Sequence, residues 1–194
     1  MTFNEIIKQA LTHLEYGTDE DSVSTFFDRF IMYANEAVRT IARSLRLEKV
    51  ESVTLDNYHF TLDDLSKPLV TKISEVYVGR RAYPCVTGDE LGDFVVIAPH
   101  HKLDEDATVS VRYRWMPVDV TDGDAEPDIP EAFHGIIWMY IVYMHNNSRS
   151  SGVTSYNYQT MLAEFERQRK IISRQYGAFN SFTWKNRPWE TREM

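Results

Sequence analysis

The sequence predicts an α+β protein: a four-helix α-helical bundle with an inserted small antiparallel β-sandwich or barrel module and an extended C-terminal arm. Apolar residues recur every three or four positions near both ends of the chain, which is typical of helices. Between Val50 and Met116 the apolar period changes to two, which is typical of strands with one buried face. The final stretch of the chain follows neither period. We therefore expect a bundle of residues 1–49 and 117–177, a β-module of residues 50–116 and a docking arm of residues 178–194.

Two helices are predicted before the β-module. The first covers residues 2–15, and Gly17 is expected to end it, since glycine readily takes the left-handed conformation that follows many helices. The second runs from about Asp21 to Leu47. Acidic residues lie at its start and arginines near its end, and that order of charges suits the helix dipole.

The β-module is expected to contain five to seven short strands. Asp56-Asn57 is predicted to form a two-residue turn between two of them. Further strands are expected at Ile73–Val78 and Phe94–Ala98. In the last strand one face should carry the apolar side chains of Val109, Val111, Tyr113 and Trp115. Such a set of strands is typical of a small sandwich or barrel.

Two more helices are predicted after the β-module. One covers Pro130 to about Asn147 and is apolar most of the way round, which implies burial on more than one side. The other covers about Ser155 to Tyr176, and Gly177 is expected to end it.

The charge of the chain is unevenly distributed. A length of 194 residues suggests one domain, or one domain carrying a sub-domain. The net charge of -8 argues against an outright nucleic-acid binder. Residues 1–166 carry a net charge of -13, whereas residues 167–194 contain seven basic and two acidic residues. A basic end on an acidic body favours docking to an acidic partner.

Neither membrane insertion nor disulfide chemistry is expected. No apolar run approaches 18 residues, and Met1–Glu5 is not a charged leader before an apolar stretch, so we predict no membrane span and no secretory signal. The single cysteine, Cys85, rules out an internal disulfide and is interpreted as a buried structural thiol. These features predict a soluble protein of the intracellular type.

The sequence predicts no catalytic site, no cofactor and no metal site. The acidic segment Asp119–Asp128 invites a calcium interpretation, but Pro127 occupies the position that a calcium loop reserves for glycine, so we expect a solvated loop. The histidine pair at 100–101 precedes acidic residues without metal-ligand spacing, which favours a surface turn. His134 and His145 lie about 16 Å apart along one helix, too far to share an ion, and are expected in the core or an interface.

The C-terminal arm is the strongest candidate for an interaction site. It combines aromatic side chains, which are not easily left in water, with basic ones in a segment broken by proline. The candidate residues are Phe179, Phe182, Trp184, Lys185, Arg187, Trp189 and Arg192. We favour an anchoring arm for another protein chain, with aromatic and arginine hot spots. The alternative is that the arm folds back over its own bundle.

One stretch of the chain resembles a known family. The strand Val109–Pro117 is followed by the acidic segment Asp119–Asp128, by Ile129-Pro-Glu-Ala-Phe-His134 and by an apolar helix. In this order and spacing, these features are similar to those of the head-to-tail adaptor (connector, or head-completion) proteins of tailed bacteriophages. The resemblance extends loosely over residues 3–176.

The resemblance implies a virion structural protein and not an enzyme. Its members form a ring of identical subunits, usually twelve, that docks on the portal protein, extends the DNA channel and offers a platform to the next neck, tail or tail-fibre protein. Genomic DNA would pass through without sequence-specific binding, which suits an acidic body. The resemblance also implies a place in the neck of the virion after assembly in the host cytoplasm. The C-terminal arm would insert between portal subunits.

Two other classes of function stay open. A small metal-dependent hydrolase would need His100, His101 or the acidic segment to converge on a metal ion. A monomeric assembly chaperone or regulator encoded by a prophage would have a folded state that does not depend on its concentration.

Overall fold

The computed structural model describes residues 1–45, 47–67, 69–78, 81–87, 93–96, 103–104, 106–149 and 155–185. Within these ranges the chain forms four α-helices and seven antiparallel strands, so the predicted α+β class is confirmed. The chain divides into two compact units. The helical unit comprises Met1–Leu45 and the chain from Asp119 onward, and the β unit comprises Arg46–Val118.

Helix α1 (Phe3–His13) begins with a reciprocal cap. The Thr2 hydroxyl accepts a hydrogen bond from the Glu5 N–H at 3.3 Å, and the Glu5 carboxylate accepts one from the Thr2 N–H at 2.9 Å. The buried stripe of the helix is Phe3, Ile6, Ile7, Ala10 and Leu11. The helix ends earlier than predicted, and Glu15, with a φ of 59°, takes the left-handed conformation that we had expected at Gly17.

Helix α2 (Glu20–Leu45) is buried mainly in its second half. Asp19 accepts hydrogen bonds from the N–H and the hydroxyl of Ser22, at 2.9 and 3.0 Å, and these bonds lower the pKa of Asp19. From Phe30 onward the helix packs against α1 and the later helices. The buried side chains are Phe30, Ile31, Tyr33, Ala34, Asn35, Ala37, Val38, Ile41 and Ala42.

The predicted third helix has two parts. Residues Glu131–Ile136 form a 3-10 helix, and helix α3 follows as Ile137–Arg149. The Phe133 N–H donates to the Pro130 carbonyl at 2.9 Å. This bond joins residues three positions apart, as in a 3-10 helix, so the first turn is tighter than an α-helical turn. The expectation that α3 is buried on more than one side is confirmed, since it contacts α1, α2 and helix α4 (Ser155–Lys185). A four-helix bundle in the strict sense stays a prediction.

The β unit contains two antiparallel sheets. Its strands are β1 (Glu48–Thr54), β2 (His59–Thr61), β3 (Leu69–Val78), β4 (Arg81–Tyr83), β5 (Cys85–Thr87), β6 (Asp93–Val96) and β7 (Thr108–Trp115). One sheet has the order β1-β7-β3-β4 and the other β2-β6-β5. The two sheets contribute to one hydrophobic cluster, in which the stacked rings of Phe60 and Phe94 have centroids 5.4 Å apart. The strands described here do not close into a barrel.

The turn after β1 differs from the prediction. The two turn residues are Asn57 and Tyr58, with φ of 52° and 67°, one position later than expected. Asp56 and His59 flank them and exchange both backbone hydrogen bonds, at 2.8 and 2.9 Å. Before the turn β1 pairs with β7, and after it β2 pairs with β6. The chain therefore passes from one sheet to the other at this turn. The period of two locates strands but does not specify their partners.

Candidate interaction surfaces

Helix α4 includes the start of the predicted arm. It continues through Gly177 to Lys185, so the expectation that Gly177 ends it is wrong, and residues 178–185 are helical instead of extended. A single internal glycine costs a helix only about 1 kcal/mol relative to alanine. The stronger breaker is Pro188, which disfavours helical backbone at the residue before it.

The seven predicted arm residues divide between two parts of the chain. The backbone of Phe179, Phe182, Trp184 and Lys185 lies in the last turns of α4. Arg187, Trp189 and Arg192 lie outside the described residues. The helical spacing of Ile172, Tyr176, Phe179 and Phe182 was the sequence signal for the longer helix.

The inner face of α4 is aromatic. Phe165 is fully buried, and its ring centroid lies 5.2 Å from that of Tyr140 on α3. Further along, the Tyr176 ring meets Phe133 edge to face at 6.3 Å. Burial, together with a hydrogen bond to the Glu36 carboxylate, raises the pKa of Tyr140, so its hydroxyl stays protonated. These contacts fix the rotation of α4 about its axis.

The opposite face of α4 is basic, and we call it the basic face. Its exposed residues include Arg167, Lys170, Ile171 and Arg174, with 38% of Ile171 exposed. The Arg167 guanidinium makes two hydrogen bonds to the Glu164 carboxylate, at 2.6 and 2.7 Å. Those bonds help to lower the pKa of Glu164 to about 2. Lys170 and Arg174 extend the positive charge along the same face.

The first half of α2 carries the opposite charge. A shallow groove of about 510 Å³, which we call the α2 groove, is lined by Thr25, Phe26, Asp28, Arg29 and Met32. Met32 is 55% exposed. The exposed acidic residues at and before this part of the helix are Asp19, Glu20, Asp21 and Asp28. The α2 groove is therefore an apolar depression whose lining includes one acidic and one basic residue, Asp28 and Arg29, with further negative charge at the start of the helix.

The acidic segment after the β unit is held against α2, which the sequence analysis missed. The Asn35 side chain donates to the Val120 carbonyl at 2.8 Å and accepts from the Val120 N–H at 3.1 Å. One residue earlier, Asp119 accepts hydrogen bonds from the Arg39 guanidinium. A polar Asn35 inside the apolar stripe of α2 was the available signal, because buried amides need partners.

The same segment also contacts the start of α1. The N–H groups of Phe3 and Asn4 donate to the carbonyls of Ala125 and Gly123, at 3.0 and 2.8 Å. The Asn4 side chain donates to Asp124 at 2.9 Å. These bonds satisfy helix N–H groups that have no partner within α1. The expected solvated loop is thus a fixed part of the helical unit.

The two helical histidines lie in the core, which confirms the expectation for them. His134 is 3% exposed, and its Nε2 lies 3.0 Å from the Ile129 carbonyl oxygen. His145 is 1% exposed, with its Nε2 3.4 Å from the Tyr16 hydroxyl. The Phe30 ring meets the His145 ring edge to face at 5.2 Å. His134 is therefore a buried core residue of the 3-10 helix, and His145 is one of α3.

The other sequence candidates lie elsewhere. Cys85 packs against the hydrophobic cluster of the β unit but is only partly buried, so the interpretation as a buried thiol is wrong; β5 lies at the edge of the smaller sheet and pairs there with β6. His100 and His101 lie outside the described residues. Among the residues that are described, no group of three or more His, Cys, Asp or Glu side chains could hold a metal ion. None of the described helices is long and apolar enough to cross a membrane.

The helical unit presents basic side chains on α4 and mainly acidic ones on the first half of α2, and it is interrupted in sequence by the two-sheet unit. The family model of the SU10 adaptor protein matches residues 1–184, and the chain belongs to this family. It is a phage adaptor protein and a virion component, as the resemblance in the sequence indicated. The family is not known as enzymatic and implies contacts with other head or tail proteins. No curated protein sequence matches the chain.

Proposed function

We propose that this adaptor works in the neck of the virion as a ring of identical subunits, twelve as is usual for head-to-tail adaptors. The ring docks on the portal protein, extends the DNA channel and offers a platform to the next neck or tail protein. The observation that carries the proposal is the match of the SU10 adaptor family to residues 1–184, nearly the whole chain. The subunits assemble in the host cytoplasm.

The charge of the chain supports a DNA channel. Residues 1–166 carry a net charge of -13. A channel wall of like charge repels the phosphate backbone, so DNA moves past without being held. Contacts that neutralised many phosphates would instead slow ejection of the genome.

The end of the chain is the proposed portal-binding arm. Its residues are Phe179, Phe182, Trp184, Lys185, Arg187, Trp189 and Arg192. Because residues 178–185 already belong to α4, less backbone has to be ordered on docking than in a fully extended arm. Many identical arms in a ring bind together with much higher avidity than one arm alone.

Chemical cross-linking within assembled virions tests the ring. Identical neighbours in a closed ring should give a ladder of cross-linked species that rises by one subunit at a time and ends at about twelve. Virions that yield only the monomer band of this chain, while their portal protein cross-links normally, would contradict the proposed ring.

A further inference from the structure

We propose that copies of this chain meet head to tail, with the basic face of α4 on one copy seated on the α2 groove of the next. The inference rests on the proposed ring and identifies the surfaces through which its subunits join. The sequence suggested docking through the basic residues 167–194 as a group, but it did not suggest the α2 groove.

The first argument is the position of exposed apolar side chains. Among the described residues of the helical unit, the large apolar side chains with substantial exposure are Met32 on α2 and Ile171 on α4. Single exposed apolar residues are ordinary on protein surfaces. Here, however, each lies among charges that are mainly of one sign, basic around Ile171 and acidic over the first half of α2 apart from Arg29. Each surface therefore has an apolar centre and a charged rim, as protein interfaces do.

The second argument is the sign of those charges. On α2, Asp28 and Arg29 both lie one turn before Met32, and Glu20 and Asp21 add two acidic groups at the start of the same helix. On α4, Lys170 adjoins Ile171 and Arg174 follows one turn later. When the two apolar side chains meet, the net negative charge of the first half of α2 comes opposite the net positive charge of the basic face. Complementary charge of this kind fixes the partner and the orientation of an interface.

The third argument concerns symmetry. The two surfaces lie on different helices, so a copy that uses one surface for each of its two neighbours makes a heterologous contact. Such a heterologous contact leaves one surface free on each end of a dimer and continues from copy to copy until a ring closes. A second copy of this chain is therefore the occupant that both surfaces fit.

The test uses two full-length variants with reversed charge. The first is Asp21→Lys/Asp28→Lys on the α2 side, and the second is Lys170→Glu/Arg174→Glu on the α4 side. All four positions are exposed, so far-UV circular dichroism should stay unchanged. Sedimentation velocity at low salt over a range of concentrations measures association.

Wild-type chains should associate, and each variant alone should associate at least tenfold more weakly, because each presents two surfaces of like charge. An equimolar mixture of the two variants should regain association. When the two variants alternate, every contact joins surfaces of opposite charge, because contacts between two reversed surfaces alternate with contacts between two unchanged ones. A chain with the same change in charge at Asp63→Lys/Asp106→Lys, both exposed on the β unit, should behave as wild type.

Disulfide formation in assembled virions provides a second, independent measurement. In a Cys85→Ser chain that carries Met32→Cys and Ile171→Cys, mild oxidation should give a ladder longer than a dimer, whereas either new cysteine alone should give only monomer. Variants that associate like wild type, a mixture that stays as weak as its components, or the absence of this ladder would each overturn the inference. Virions that still give the chemical cross-linking ladder would then keep the proposed ring and lose only these surfaces.

Discussion

The side-chain amide of Asn35 pairs with both backbone polar groups of Val120. Its Nδ2 donates to the Val120 carbonyl at 2.8 Å, and its Oδ1 accepts from the Val120 N–H at 3.1 Å. Asn35 is only 7% exposed, in the buried half of α2. The pair therefore ties the segment that follows the β unit to a helix that precedes it.

Replacing Asn35 with alanine should lower the free energy of unfolding by about 2–3 kcal/mol, because two hydrogen bonds at a largely buried site are lost together. Urea unfolding followed by far-UV circular dichroism measures this change. Ser24→Ala, at an exposed position of the same helix, is the matched control and should change stability by less than about 0.5 kcal/mol. Equal stability of the two variants would argue against a structural role for the pair.

Gly123 is required by the close approach of Asn4. A β-carbon at position 123 would lie 2.3 Å from the Asn4 Oδ1. Gly123→Ala should therefore displace the Asn4 side chain from Asp124. The loss of that hydrogen bond should lower the free energy of unfolding by about 1 kcal/mol. The loss should be smaller in an Asn4→Ala background, which a double-mutant cycle measures.

Gly135→Ala is the control for this prediction, since a β-carbon there meets no atom within 4 Å. Its stability should stay close to that of wild type. If Gly123→Ala and Gly135→Ala had equal effects, contact with Asn4 would not be the reason for glycine at position 123.

The stability of the β unit should depend on pH through Glu51. Burial raises the pKa of this carboxyl, but hydrogen bonds from Tyr113, Ser66 and Lys49 outweigh that effect and hold it at about 2. The Tyr113 hydroxyl lies 2.5 Å from Glu51 Oε1, and burial followed by this bond raises the pKa of Tyr113 to about 12. The tyrosine therefore remains protonated, and a hydrogen-bond donor, well above neutral pH.

The folded pKa of Glu51 lies below the value of about 4.3 in an unfolded chain. The stabilisation is therefore complete above about pH 4.5 and is lost as the pH falls towards 2. Glu51→Gln should be less stable than wild type by about 1.5–3 kcal/mol at pH 7, with a smaller difference at pH 3. Glu131→Gln, at an exposed position in the helical unit, is the control. A difference for Glu51→Gln that is the same at both pH values would contradict the hydrogen-bonded carboxylate.

The helical unit should fold without the β unit. The β unit interrupts the helical unit between Leu45 and Asp119. Asp119 forms an ion pair with Arg39, and Leu45 lies six residues, or roughly 9 Å, beyond Arg39 along α2, so the two ends of the interruption are close together. A short Gly/Ser linker in place of residues 46–118 should leave the helical circular dichroism spectrum and a cooperative melt, and should abolish binding of the downstream neck or tail protein. Loss of the helices themselves would show that the β unit is not an independent insertion.

Much of the helical unit was predictable because burial there follows the helical period. Phe30, Ile41 and Ile141 belong to apolar residues that recur every three or four positions in the sequence, and all three are fully buried. The errors concern features that the period does not encode. Glycine at 177 was given more weight than Pro188, although only proline blocks a helix outright.

The contacts between distant segments were less predictable. Periodicity placed Val109, Val111 and Tyr113 on the buried face of β7, but it did not reveal that β1 and β2 belong to different sheets. Nor did it show that the segment Asp119–Asp128 is bonded to α1 and α2. Its acidic composition resembles that of a solvated loop, and its partners, Asn4 and Asn35, lie far away in the sequence. A buried amide such as Asn35 indicates that a polar partner is needed, but not which distant segment provides it.

The central claim, that this adaptor forms a ring that docks on the portal through its C-terminal arm, is tested most directly by negative-stain imaging of the purified chain mixed with portal rings. Wild-type protein should add a distinct layer beneath the portal. A Trp184→Ala/Trp189→Ala chain should melt within a few degrees of wild type and add no layer, because it loses two large aromatic anchors. A double variant that docks normally, or that melts many degrees lower, would contradict the account, since these side chains would then not be portal anchors or would belong to the chain's own core.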